Sequence, residues 1–405
     1  MPPHPRRRTP QATPLTAPTL TTADLTEAER TRILAKSALF APPPQADSEG
    51  RRDLLGLTRD ELAAEMLAIG EKPFRAKQLW HWIYHQGTRD FATMSSIARP
   101  LQAKLADRFT IGRPEITTEQ TSTDATRKWL FKFRDGQQVE TVYIPDEDRG
   151  AVCISTQVGC TLSCRFCHTG TQKLVRNLSA GEIIGQFMAA RDSYGEWPSP
   201  QSETRMLSNI VVMGMGEPLY NYEATARALT IAMDNEGIGL SRRRITLSTS
   251  GVVPMMDRAG AELGVNLAVS LHAVTNELRD EIVPLNRKYP IEELLAACHR
   301  YPGASNARRI TFEYVMLDGI NDSEAEAREL VRLLEGLPAK VNLIPFNPWP
   351  NSPYATSKRA QIERFANILN DAGYASPVRR PRGRDIAAAC GQLKTDSERA
   401  RRIPA

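Results

Sequence analysis

The sequence predicts an α/β protein built on a parallel sheet, open or curled toward a barrel, with a small helical module and a β-hairpin ahead of it. Three observations predict this. Between Ala151 and Asn347 six short apolar runs alternate with helical patterns, and repeated strand–helix alternation calls for parallel strands joined by crossover helices. Asp135-Gly136 separates two alternating runs just before them, a strong local hairpin signal. Earlier still, residues 57–110 carry apolar positions at helical spacing, with start and stop residues in place.

Composition excludes several classes. Hydrophobic residues make up 41% of the 405 and charged residues 24%, ordinary globular usage that rules out global disorder. No apolar run approaches the roughly 18–20 residues of a membrane span. Arg6-Arg7-Arg8 is followed by no apolar h-region, which speaks against a secretory signal. Six cysteines are too few for a disulfide scaffold. A soluble, cytoplasmic protein is expected.

Residues 1–50 hold nine of the 28 prolines and almost no aromatic residue, so a disordered arm is expected, with one weak helix near 24–36. Padding without a catalytic role is its plainer reading. Residues 51–112 read as a helical accessory domain. Thr58 is a plausible N-cap before Glu61-Leu62-Ala63-Ala64-Glu65, and Gly70 a stop. A second helix starts near Pro73 and runs to Ile83, and a third spans about 101–109. Lys72, Arg75, Lys77 and Arg89 lie among Phe74, Trp80, Trp82 and Tyr84. That mixture suits phosphate gripping and base stacking, although packing is the better reading for Trp80 and Trp82.

Residues 113–148 form the hairpin extension, with strands at 128–133 and 138–144. Glu140 shares a face with Val142 and Ile144, so this carboxylate either marks an exposed strand end or is held for a purpose. In the core, 149–375, strands are expected at 151–156, 209–213, 244–248, 266–271, 310–316 and 341–345. Helices are expected at 180–191, 222–235, 254–263, 291–300 and 323–334. Chemistry in such folds collects at the C-terminal strand ends. The last segment, 376–405, has eight basic and three acidic side chains, a surplus equal to the net charge of +5. Arg379, Arg380, Arg382 and Arg384 crowd before Cys390. A charge run is usually a solvated face, but this one beside a candidate catalytic cysteine suits a polyanionic substrate.

Cys160, Cys164 and Cys167 form C-x3-C-x2-C in the loop after the first core strand. Three thiolates so spaced hold three corners of an iron–sulfur cluster and leave the fourth iron without a protein ligand. The alternative is a zinc knuckle with His168 as fourth ligand. No second C-x-x-C pair follows, and a strand-end loop suits catalysis better. Cys298 reads as a buried helix cysteine. His81 and His85 have metal-binding spacing but no third ligand.

The run Gly159-Cys160-Thr161-Leu162-Ser163-Cys164-Arg165-Phe166-Cys167 resembles the cluster motif of radical S-adenosylmethionine (SAM) enzymes, and Met213-Gly214-Met215-Gly216-Glu217-Pro218 resembles their SAM-binding segment. Further stretches at 140–145, 153–160, 176–179, 342–348 and 382–393 are similar to one subgroup, the dual-specificity RNA methyltransferases that act on C2 of adenosine in 23S rRNA and tRNA. The resemblance runs from about Leu57 to Leu393.

It implies a partial (β/α)6 TIM-like barrel, a 4Fe–4S cluster on Cys160, Cys164 and Cys167, and SAM bound by Gly216, Glu217, Ser248, Ser270, Leu271, His272 and Asn347. It also assigns methyl carriage to Cys390, a resolving role with a transient disulfide to Cys153, and proton acceptance to Glu140. An electron donor such as flavodoxin or ferredoxin and a monomeric state are further expectations. A cysteine relay suits the target, because C2 is an sp2 carbon with no nucleophilicity of its own whereas a thiolate accepts a methyl group readily. A C8-methylating paralogue that confers antibiotic resistance is the nearest rival; an RNA-binding protein with a structural cluster is another. One departure from the subgroup is His168, where a small residue is expected.

Overall fold

A computed structural model describes residues 27–147, 149–199 and 205–397. Most of the stretch expected as a disordered arm lies outside them, but its end does not. Helix α1 (Glu27–Ala38) lies two to three residues downstream of the weak helix expected and is docked on the core. Ile33 is buried, Arg30 Nε donates to the Pro254 carbonyl at 3.0 Å, and Tyr289 donates its hydroxyl hydrogen to Glu29 at 2.9 Å. These partners lie more than 200 residues away, so local composition carries no trace of them.

The accessory domain follows its local signals. Helix α2 (Arg59–Ala68) opens with the capping box of Thr58 and Glu61, which satisfies two otherwise orphaned N–H groups reciprocally. Helix α3 (Arg75–Trp80) runs into a π-helical turn at His81–His85, and α4 (Arg99–Arg108) closes the module. Trp80 and Tyr84 are buried in its core. Arg59 and the Trp80 indole N–H both reach Asp234 of the barrel, tying the module to the larger unit.

Three antiparallel strands come next: β1 (Glu115–Thr121), β2 (Arg127–Lys132) and β3 (Gln138–Asp146). The expected hairpin is β2–β3, turning at Asp135-Gly136 with Gly136 at φ +80°. Strand β1 is an addition. All its residues are exposed, so it lacks the half-buried alternation by which strands are read, and its Thr, Glu and Gln suit a solvated sheet edge.

The core strands are β4 (Arg149–Cys153), β5 (Leu207–Val212), β6 (Ile245–Thr249), β7 (Asn266–Ser270), β8 (Ile310–Met316) and β9 (Ala339–Pro345). Together with β1–β3 they make one nine-stranded sheet in strict chain order. Pairing is antiparallel from β1 to β4 and parallel from β4 to β9. The six parallel strands are the partial barrel, and the extension is fused to its first edge. Between the strands run α5 (Ala180–Tyr194), α6 (Tyr222–Met233), α7 (Val253–Glu262), α8 (Asn276–Ile282), α9 (Ile291–Arg300), α10 (Glu324–Leu333) and, after β9, α11 (Arg359–Asp371). Helices α8 and α11 were not among those expected. Cys298 is fully buried in α9. Among the described residues no helix is long and apolar enough to cross a membrane.

Candidate active site

The C-terminal ends of the parallel strands open onto two adjoining cavities. The first is lined by Cys160, Cys164 and Cys167, by Gly216 and Glu217 after β5, by Ser248 and Ser270 at the ends of β6 and β7, and by His272, Asn347 and Cys390. The second is lined by Cys153 from β4, Val142 and Ile144 from β3, Arg380, Arg382 and again Cys390. Asn347, Arg379 and Cys390 belong to both. Every strand end therefore contributes, as the fold predicts.

Two expected residues fall elsewhere. The Leu271 side chain is in the hydrophobic core and lines neither cavity; parity along β7 turns Ser270 inward and its neighbour out. Glu140 also lines neither cavity. One of its oxygens meets Lys128 Nζ at 2.8 Å, and the other accepts from the Lys394 backbone N–H at 2.9 Å. Of the two readings left open for it, an exposed strand end is excluded, since the residue is buried.

The segment carrying Cys390 is laid across the cluster loop. His168 N–H donates to the Gly391 carbonyl at 2.8 Å, Thr169 Oγ1 to the Leu393 carbonyl at 2.6 Å, and Gln172 Nε2 to Thr395 Oγ1 at 3.1 Å. The His168 ring stacks on Trp349, centroids 5.0 Å apart and planes 6° from parallel. Its Nδ1 lies 3.3 Å from the Gln392 carbonyl. His168 is thus a stitch between loop and tail, engaged away from the three thiols. Cys390 is exposed as a whole residue, but it lines both cavities and its thiol is the part that desolvation reaches; Asn347 Nδ2 holds its carbonyl at 3.2 Å.

Charge at the site is set by burial. Desolvation pushes Cys164 and Cys153 up to about 12 and Cys390 up to about 11, and raises Cys160 and Cys167 as well. Arg379 opposes this rise at both Cys153 and Cys390. Burial likewise lifts Glu217 to about 7, against hydrogen bonds from the Ser250 N–H, the Thr249 hydroxyl and the Leu219 N–H. His272 is pushed down to about 3 by burial and then by Arg279. Its Nδ1 accepts from the Val315 N–H at 3.0 Å, so the neutral ring carries its proton on Nε2.

These residues fit a cluster with three protein ligands and a ligand on its open corner. Three thiols, that of Cys164 in a buried residue and those of Cys160 and Cys167 in half-buried ones, share one wall, and thiolates held above their ordinary pKa by desolvation need metal to hold them. The zinc alternative needs His168 as fourth ligand, but that ring stacks on Trp349 and its Nδ1 lies against the Gln392 carbonyl. Glu313 Oε2 and Asn347 Oδ1 are buried without hydrogen-bond partners in residues that line the first cavity. Gly216, at φ +100°, lies so close to Gln157 that an added Cβ would stand 2.5 Å from that side chain, so only glycine permits this wall.

Two features escape the sequence reading. Arg279, fully buried in α8, donates to the carbonyls of Ser250, Ser270 and Leu271 and so braces two strand-end loops. Glu313, on the inward face of β8, faces Arg379 at 3.6 Å and accepts from Asn342 at 3.0 Å. Only the arginine run before Cys390 hinted at that pair.

Comparison with known proteins agrees with this geometry. Residues 52–111 match the ribosomal RNA large subunit methyltransferase N-terminal domain and residues 154–331 the radical SAM superfamily. A crystal structure of a radical SAM methyltransferase from Sphaerobacter thermophilus superposes with a TM-score of 0.78 at 48% identity, covering 84% of this chain and 98% of that one. Fold and site define a radical SAM methyltransferase, an enzyme class that works with a 4Fe–4S cluster and SAM. The dual-specificity RNA methyltransferase RlmN of Gluconobacter oxydans is 75% identical over 94% of each chain. That of Granulibacter bethesdensis is 70% identical over 97% of this chain and 98% of its own. The chain belongs to the RlmN family.

Proposed function

We propose that this enzyme methylates C2 of adenosine in 23S rRNA and in tRNA through an S-methylcysteine on Cys390, and that it works as a cytoplasmic monomer fed by a flavodoxin or ferredoxin. The observation that carries the proposal is the place of Cys390, where the cavity of the three cluster thiols meets the cavity of Cys153. When bound, the cluster and SAM supply an electron-driven source of the 5′-deoxyadenosyl radical, and SAM supplies the methyl group. Cys160, Cys164 and Cys167 hold the cluster. Glu217, Ser248, Ser270, His272 and Asn347 hold SAM, with Gly216 and Leu271 contributing backbone.

Cys390 would take the methyl group as a thiolate and, once one hydrogen atom of that methyl has passed to the 5′-deoxyadenosyl radical, would present the resulting methylene to C2 of an adenine seated in the second cavity between Val142, Ile144 and Met213. Glu140 would take the ring proton, and the Cys153 thiolate would attack the Cys390 sulfur, so that the S–S bond forms as the S–C bond breaks and the released carbon takes up a proton to become the product methyl group. Unstacking the adenine costs on the order of a few kcal/mol. Phosphate contacts from Arg380 and Arg382 offset this, as do those from the accessory domain, where exposed Phe74 carries Arg75 4.8 Å over its ring. Binding is therefore expected to weaken steeply with salt.

The direct test is anaerobic turnover of the reconstituted enzyme with SAM, reductant and unmodified rRNA and tRNA transcripts, read by mass spectrometry of the digested nucleosides. 2-Methyladenosine is expected. 8-Methyladenosine would move the enzyme to the C8 paralogue, and intact SAM beside a verified cluster would leave a structural cluster as the reading.

The closed carboxylate of Glu140 favours a second role, that of a latch on the Cys390 segment through Lys394. Glu140→Gln separates the two. Gln keeps an acceptor for the Lys394 N–H but a poor base, so a proton acceptor predicts at least a ~100-fold slower release of methylated RNA with adduct building up. A latch alone predicts near-normal release.

Arg379 lines both cavities and is held by Glu313. Removing its charge favours the neutral thiol, so Arg379→Met is expected to slow Cys390 S-methylation about tenfold at pH 8, one pKa unit being tenfold in thiolate. The deficit should shrink as pH approaches the thiol pKa, and Arg379→Lys should recover most of it. Intact-protein mass spectrometry without RNA reads this directly; an unchanged rate would assign Arg379 to RNA binding instead.

A further inference from the structure

We propose that Gln157 is the residue that sets the cluster loop and the SAM-binding segment at their working separation, and that helix α1 locks it there through Ser37 and Asn177. The inference rests on the assignment of Cys160 to the cluster and of Gly216 and Glu217 to SAM. Gln157 is fully buried, and both ends of its carboxamide bond Thr161 while each also reaches a second segment, Glu217 from the oxygen and Asn177 from the nitrogen. Its Oε1 accepts from the Thr161 N–H at 3.1 Å and from the Glu217 N–H at 3.0 Å. Thr161 directly follows the first cluster cysteine, and Glu217 directly follows Gly216. One oxygen therefore fixes where both walls of the cavity stand.

The other end leads to the N-terminus. Gln157 Nε2 donates to Thr161 Oγ1 and to Asn177 Oδ1, both at 2.8 Å. Asn177 in turn donates through Nδ2 to Ser37 Oγ at 2.9 Å and to the Ser37 carbonyl at 3.1 Å. Its backbone N–H donates to the Phe40 carbonyl at 2.7 Å. The end of α1 thus orients Asn177, which orients the carboxamide, which orients the two segments. A planar amide satisfied at both ends cannot rotate without stranding buried donors, and such networks gain their value from completeness. Alignment is what this chemistry needs, because displacing reacting partners by about 1 Å can cost 100-fold. The segment that composition assigns to padding is, from Glu27 on, the outer brace of the site.

The test uses full-length, anaerobically reconstituted protein in four forms: unaltered, Gln157→Met, Asn177→Leu and Ser37→Ala. Iron content, thermal midpoint and the electron paramagnetic resonance spectrum of the reduced cluster are read while SAM is titrated. Gln157→Met is expected to keep its iron yet need about tenfold more SAM for half the spectral change, and the two outer variants roughly threefold more. A lowered thermal midpoint with an unshifted SAM titration would make the network merely structural and overturn the proposal. Should Gln157→Met fail to fold, Asn177→Leu and Ser37→Ala decide, since both leave the bonds to Thr161 and Glu217 in place. Unshifted titrations in both overturn the proposal, and raised half-points support it. An unaltered protein whose spectrum ignores SAM would overturn the cofactor assignment itself, an outcome distinct from an unaltered protein that responds alongside variants that respond equally.

Discussion

Replacing Cys390 by alanine is expected to abolish RNA methylation, a loss of about a thousandfold or more, while the protein still takes up its cluster and binds SAM. The reasoning is one of atoms removed. The tail is stitched down by backbone groups around residue 390, its own carbonyl to Asn347 and those of Gly391 and Leu393 to the cluster loop, and alanine keeps all of them. Only the sulfur leaves. An enzyme that moved a methyl group from SAM straight to the base would barely notice, whereas an enzyme that works through a covalent carrier loses its sole acceptor. Iron content and the SAM-dependent cluster spectrum are the controls. Methylated RNA formed at the normal rate by Cys390→Ala would remove the carrier from the mechanism.

What the sequence shows of this enzyme depends on how local the responsible physics is. The six core strands and five of the crossover helices were legible because each repeats its own pattern, apolar runs for buried parallel strands and helical spacing between them; the structure adds capping boxes at Ser179 with Glu182 and Ser323 with Glu326. The three cluster cysteines were legible because their spacing is itself the chemistry. Helix α11 carries Ile362, Phe365, Ala366 and Leu369 on its buried face, a legible period in a stretch the barrel pattern did not require. Strand β1 had no apolar face to show. Arg279, Glu313 and Gln157 were silent for another reason. A buried polar side chain is defined by partners from distant segments, and nothing adjacent in sequence distinguishes it from an exposed one. Helix α1 belongs with them, as Ile33 alone is buried and the rest of its attachment is polar. Resemblance to a known subgroup supplied the expectation for Glu140, yet its closed pairing with Lys128 and Lys394 is visible only in three dimensions.

The second large effect concerns Cys153, whose alanine variant is expected to load its cluster and methylate Cys390 normally, then stop with RNA attached. Cys153 ends β4 opposite Val142 in the sheet, is mostly buried, and lines only the cavity away from the cluster thiols. Early steps that need Cys390 and SAM should therefore proceed without it. Release differs, because breaking the bond between the Cys390 sulfur and the new carbon needs a second thiolate to attack that sulfur. The shared cation Arg379 lowers the cost of forming that thiolate, and with its help included burial still holds the thiol at about 12. With alanine in its place the adduct has no exit. Denaturing gels should show a protein–RNA band that survives boiling, and intact-mass analysis should show one RNA per chain. Since the stalled species sequesters enzyme, product should plateau below one turnover at any RNA concentration. Multiple turnovers of free 2-methyladenosine-containing RNA from Cys153→Ala would mean that release proceeds by another route and that the two free cysteines never pair.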